Sequence, residues 1–206
     1  MIKLLLVRHG HVEGIHPERF RGRTDVPLTP EGREQAMATG RCIASRWRPV
    51  IVYTSPLQRC VQTASEIGAA CRTELSVQED LNDLNYGSWQ WQLHSEVRAR
   101  SPGLFERWFA APHLVRFPEG ESLQDLLARA ANVVRMALVR HPVETVVLVS
   151  HDSVIRAMLL QLLDQPLSAY WRISPAPCSI SEVEILGHGV RVLGINETLH
   201  LGRASS

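Results

Sequence analysis

Short apolar runs alternate along the chain with longer segments in which apolar residues recur every three or four positions. Ile2 to Val7, Val50 to Thr54 and Thr145 to Ser150 are almost continuously apolar, the pattern of strands covered on both faces. Together with runs at 181–186 and 190–195 and a weaker one at 75–78, they predict six strands. Helical periodicity fits 30–47, 57–71, 122–141 and 152–164. Thr29-Pro30-Glu31 and Ser55-Pro56 suit helix openings, because proline is tolerated in a first turn. Strands alternating with helices predict a three-layer α/β/α fold around a mostly parallel sheet, with helices on both faces. Gly187-His188-Gly189 joins the last two runs as a hairpin, so one strand is expected to run antiparallel to its neighbours.

The stretch from Tyr86 to Pro118 follows neither period and concentrates Trp89, Trp91, Phe105, Trp108, Phe109 and Phe117. It predicts a lid-like, irregular excursion over about 86–118, whose aromatic residues exclude water and shape a pocket. Most of these aromatics individually suit a satellite core that packs the excursion onto the body. Arg98, Arg100, Arg107, His113 and Arg116 fall in the same stretch, one or two of them within reach of a substrate carboxylate and the rest solvated.

Composition narrows the picture further. With 206 residues, 45% of them hydrophobic, the chain is expected to form one domain over 1–206. A net charge of +1 lacks the basic excess of a general nucleic-acid or anionic-membrane surface. The first apolar run is short and has no small-residue cleavage site after it, which predicts a cytoplasmic protein without a membrane span. Cys42, Cys60, Cys71 and Cys178 show no paired metal spacing and read as reduced structural thiols. Cys60, beside Arg59, is read as a packed helix residue rather than a low-pKa thiol. A homodimer remains open wherever an apolar helix face or edge strand is left uncovered. Arg203 to Ser206 are expected to be loose.

Four pieces carry candidate chemistry. The first strand runs straight into Arg8-His9-Gly10, and ligands of open α/β sheets bind just beyond the carboxyl ends of the strands. The second strand leads into Ser55-Pro56-Leu57-Gln58-Arg59, which puts Arg59 in the first turn of a helix, where anions are favoured. Asp83 lies in the turn-rich Leu81 to Trp89, either as a proton donor or as a local cap. The strand at 145–150 delivers a second histidine, His151. Each piece alone has an ordinary structural reading; their ordered occurrence is the signal.

In order, with Asp25 to Gly32, Gly120-Glu121-Ser122 and Asn196 to Leu201, these pieces resemble the histidine phosphatase superfamily, which shares its fold with the cofactor-dependent phosphoglycerate mutases. The resemblance is nearest to its small phosphatases, such as metal-independent phosphoserine phosphatase and α-ribazole phosphatase. It implies a phosphomonoester hydrolase acting on a small phosphorylated metabolite. His9 would attack phosphorus and form a phosphohistidine, Arg8 and Arg59 would neutralise phosphoryl oxygens, His151 would hold them in the transition state, and Asp83 would protonate the leaving oxygen. Arg21 and Gly22 fall in the implied phosphate-binding loop, and His200 and Glu121 near the pocket. No metal or cofactor is implied. Several positions depart from the family pattern. Asp83 replaces a glutamate, Ile15 an asparagine, Arg21 a glutamine, His11 a glutamate, and Asp152 a glycine; Gln90-Trp91 replaces an acidic-glycine pair, and Asn85 stands where some phosphoserine phosphatases have histidine. Two other readings stay open: mutase-type phosphoryl transfer, and a catalytically weak protein that binds phosphorylated ligands.

Overall fold

A computed structural model describes residues 1–202, so the expectation for Arg203 to Ser206 lies outside the described residues. Six strands form one sheet: β1 (Ile2–Arg8), β2 (Pro49–Thr54), β3 (Glu74–Val77), β4 (Thr145–Ser150), β5 (Ile180–Leu186) and β6 (Gly189–Glu197). Their order is β3-β2-β4-β1-β5-β6. The first four in that order pair in parallel, and β5 runs antiparallel to both β1 and β6. The hairpin turn falls at Gly187 and His188, between the paired Leu186 and Gly189.

The continuous apolar runs are explained by burial on both faces. Leu5, Val7, Val52, Val147 and Val149 pack against α1 (Pro30–Arg46) and α2 (Gln58–Cys71) through Ile43 and Ile67. Leu4, Leu6, Tyr53, Val146 and Leu148 point the other way, towards α5 (Leu123–Arg140) and α6 (Asp152–Leu162). Full burial of each such side chain contributes on the order of 1.5–3 kcal/mol, so the sheet anchors everything built at its edge. Helix starts follow their sequence signals. The Thr29 hydroxyl accepts from the Gly32 N–H, and Ser122 and Asp125 satisfy each other's backbone N–H groups at the start of α5.

The excursion differs from the expectation of irregular chain. It contains two helices, α3 (His94–Arg100) and α4 (Pro102–Ala110), separated at Ser101. Segments of seven and nine residues are too short to display a helical period, and Pro102 stops one helix while opening the next. Trp89, Trp108 and Phe117 join the main core, with Trp108 and Phe117 rings 4.9 Å apart in an edge-to-face contact. These three pack the excursion onto the body as part of the main core, not as the separate satellite core expected. Among the described residues no helix is long and apolar enough to cross a membrane.

Candidate active site

Parallel pairing of β1 with β4 sets the site. Arg8 is in register with Ser150, so the residues that follow, His9 and His151, leave the sheet side by side. The His9 N–H donates to the Ser150 carbonyl at 2.9 Å, and the two imidazole rings lie 5.2 Å apart. The neighbouring strand β2 ends at Thr54 and leads through Ser55 into α2, whose first turn carries Arg59. Arg8, His9, Arg59, Asp83 and His151 are all buried and gather at this one edge.

Hydrogen bonds fix both imidazoles as neutral tautomers. His9 Nδ1 lies 2.8 Å from the Gly10 carbonyl, which can only accept, so Nδ1 carries a proton, and in the neutral ring that burial and Arg59 favour, Nε2 keeps its lone pair. His151 Nδ1 accepts from Arg59 Nε at 3.2 Å, which leaves the proton on Nε2 to be donated to Ser55 Oγ at 2.8 Å. Burial, then Arg59, holds both histidines well below their ordinary pKa, with Arg8 adding to the effect at His9.

Arg59 is wholly buried, and its remaining donors go to Thr24 O (2.7 Å), Gly22 O (2.6 Å) and Asp83 Oδ2 (3.1 Å). Gly22 is required where it stands. Its φ is +47°, and a Cβ there would lie 2.7 Å from Gln90 Oε1 and 3.0 Å from the Leu84 carbonyl. Asp83 reaches Arg59 directly despite its short side chain. Its Oδ1 accepts from Ser153 Oγ (2.5 Å) and from Leu84 N (2.8 Å). Burial raises the Asp83 pKa in spite of Arg59. The preceding backbone is drawn in by Arg129 of α5, which donates to the carbonyls of Asp80 (2.9 Å), Asn82 (2.5 Å) and Asp83 (2.9 Å), and to Glu121.

A cavity of about 250 Å³ opens over these groups and is lined by Arg8, Arg21, Gly22 and Asp83 together with Ile15, Tyr86, Trp108, Phe109, Asp152 and Arg156. His9, Arg59 and His151 do not line it; they lie behind the first four. Among the described residues, the buried Nε atoms of Arg8, Arg21 and Arg156 have no hydrogen-bond partner. Arg156 is pinned by the Tyr170 carbonyl at 3.2 Å and by the Ile173 carbonyl, with its guanidinium over the Trp171 ring. Burial works against the Asp152 charge, but Arg8, then Arg156 and Arg21, outweigh it and bring its pKa down to about 2.

Neither Glu121 nor His200 lines the cavity. Glu121 supports Asp83 at one remove through Arg129, and His200 bonds Thr39 and Cys178 on the α1 side of the sheet. None of Arg98, Arg100, Arg107, His113 or Arg116 lines the cavity either, and the excursion reaches it through Trp108 and Phe109 instead. The packed reading of Cys60 holds, since burial pushes its thiol upward rather than down. Sequence reasoning missed Arg129, Ser153 and Arg156. Arg156 had left a signal: it is the one charge within Val154 to Leu160, a segment buried throughout. Arg129 left none, because an arginine on an amphipathic helix is ordinary.

Residues 4–198 match the Histidine phosphatase superfamily (branch 1). The chain is 35% identical over 202 residues to Phosphoserine phosphatase 1 of Hydrogenobacter thermophilus, spanning 98% of this chain and 95% of that one. It is 30% identical over 162 residues to the Metal-independent phosphoserine phosphatase of Arabidopsis thaliana, spanning 78% and 68% respectively. Among solved structures, Bacillus stearothermophilus YhfR superposes with a TM-score of 0.92 at 29% identity, over 98% of this chain and all of that one.

Proposed function

The chain belongs to the histidine phosphatase superfamily, and from that premise we propose that it hydrolyses phosphomonoesters of small metabolites through a phosphohistidine on His9. The observation that carries this reading is the His9 tautomer. Nδ1 is spent on the Gly10 carbonyl, and Nε2 is left as a neutral nucleophile beside permanently charged arginines.

A phosphomonoester dianion enters past Arg8 and Arg21, which line the cavity, and displaces the Asp83 carboxylate from Arg59. Substrate charge beside Asp83 raises its pKa further, so binding itself loads the acid with a proton. His9 Nε2 attacks phosphorus as the ester P–O bond breaks, and Asp83 gives its proton to the departing alkoxide. Arg8, Arg59 and His151, whose Nε2–H exchanges Ser55 Oγ for the substrate, hold the three phosphoryl oxygens as their charge shifts. Water then attacks the phosphohistidine, Asp83 takes its proton, and inorganic phosphate leaves with His9 restored.

Substrate preference lies with the wall formed by Asp152, Arg156 and the excursion residues Trp108 and Phe109. Phosphoserine is the first substrate to try, because the two curated relatives are phosphoserine phosphatases by name. We read the chain as a single cytoplasmic domain. A homodimer would use the free edge of β6, where Val190, Leu193 and Ile195 are exposed, and sedimentation velocity decides it. The test of function is phosphate release from a panel of small phosphomonoesters in chelator. Turnover of at least one member is expected, and no turnover of any would overturn the hydrolase reading.

A further inference from the structure

On the α1 side of the sheet, away from the cavity, Cys42, Glu197 and His200 come together from α1, the end of β6 and the turn that follows it. Their ligand atoms all lie within 4.8 Å of one another. The histidine is the informative member. His200 Nε2 lies 3.2 Å from the Cys178 carbonyl and 3.0 Å from Thr39 Oγ1. The Thr39 hydroxyl donates to the Gln35 carbonyl, so both groups facing Nε2 are acceptors, and Nε2 must carry the proton. In the neutral ring Nδ1 is then a bare lone pair, and among the described residues it is buried with no hydrogen-bond partner. A backbone carbonyl fixing one ring nitrogen while the other is left open is the arrangement of a metal-ligating histidine.

We propose that Cys42 Sγ, Glu197 and His200 Nδ1 form a non-catalytic site for a borderline divalent cation, zinc above all. A thiolate, an imidazole and a carboxylate are the donor set that zinc prefers, with water as the fourth ligand. Bonds of roughly 2.0–2.3 Å hold tetrahedral ligands about 3.3–3.8 Å apart, so the half-exposed Cys42 and Glu197 side chains close the remaining distance by rotation. Binding converts the Cys42 thiol to thiolate and releases its proton to solvent. One cation is already present: Arg46 pairs with Glu197 and lies 4.0 Å from Cys42 Sγ. Metal and guanidinium compete for the same two acceptors, and Arg46, stacked on Trp47 and substantially exposed, gives way. This inference is independent of the catalytic reading, because none of the three ligands lines the cavity.

Calorimetric titration of the full chain with zinc, and cobalt substitution read by the thiolate-to-metal absorption band, test it. One equivalent is expected to bind, with affinity falling at least ~10-fold in both Cys42→Ser and His200→Ala. Arg46→Ala sets this site apart from an opportunistic thiol, since losing the competing cation should tighten binding several-fold. Phosphate release by Cys42→Ser in chelator should match the parent. No binding in the parent, affinity unchanged by Cys42→Ser and His200→Ala, or weaker binding in Arg46→Ala would each overturn the proposal.

Discussion

Arg129→Met separates support of the acid from support of the fold. Arg129 touches no substrate-facing atom, yet its fork holds the carbonyls of Asp80, Asn82 and Asp83, the last at 2.9 Å, while its Nε and Nη2 bind Glu121 at 3.0 and 3.1 Å. Each charge-assisted bond is worth roughly 1.5–3 kcal/mol against a buried unpaired alternative, but water reaches part of this region. A net loss of about 3 kcal/mol follows, near the lower end for breaking a buried ion pair. For a chain of this size that lowers Tm by roughly 6–12 °C. Asp83 keeps its bonds to Ser153 and Leu84 N, so its carboxyl shifts without leaving. A displacement of about 1 Å costs up to ~10²-fold in rate, and a loss of 10- to 100-fold in kcat is expected for phosphoserine with KM little changed. With p-nitrophenyl phosphate, whose leaving group needs little protonation, the loss should shrink to a few-fold. Arg129→Lys should recover part of kcat, because an ammonium satisfies one or two of the carbonyls but lacks the fork. Steady-state phosphate release from both substrates measures this. Equal losses for both leaving groups would refute the positioning of Asp83 by Arg129, and so would an unchanged kcat in a merely destabilised protein.

Three further outcomes are expected. Because burial and Arg59 keep His9 neutral, kcat should hold as pH falls through 6.5, and it should decline as pH rises through the raised pKa of Asp83, where the acid loses its proton; an acid limb near 6.5 would contradict the His9 environment. Asp152 titrates at about 2 in the folded chain, below its ordinary 3.8, so its ion pairs stabilise the protein above that ordinary value and are lost as pH falls towards 2. Asp152→Asn should therefore cost about 2 kcal/mol in urea unfolding at pH 7 and progressively less on acidification, whereas a pH-independent cost would exclude the charge as its cause. Exchanging 86–118 for the corresponding segment of a relative should change substrate preference in kcat/KM across the phosphomonoester panel, and an unaltered ranking would show that specificity lies elsewhere.

Much of the frame was legible because it rests on patterns with short range. The apolar runs of β1, β2 and β4 announced strands buried on both faces, and the residues directly beyond them, His9 and His151, could be placed at one edge as soon as the sheet was read as parallel. Arg59 followed from its place in a first turn. What pattern could not reveal depends on contacts distant in sequence. Arg129 reaches Asp83 across 46 positions, and Ser153 reaches it across 70. The two helices of the excursion were hidden by their brevity. Asp152 stood out in sequence only as a departure from the family pattern; in the fold it is an anion on the cavity wall balancing Arg8, Arg156 and Arg21. The direction of Arg59 also depends on the fold, since its fork is engaged by Gly22, Thr24 and Asp83.

The most direct test of the central claim is to quench turnover of a radiolabelled phosphomonoester within milliseconds and analyse the protein for bound phosphate. A phosphohistidine is labile to acid and stable to base, so the expected result is a base-stable, acid-labile label in the parent that chases into inorganic phosphate and is absent from His9→Ala. Label persisting in His9→Ala, or parent turnover with no labelled protein at any time, would contradict His9 as the nucleophile.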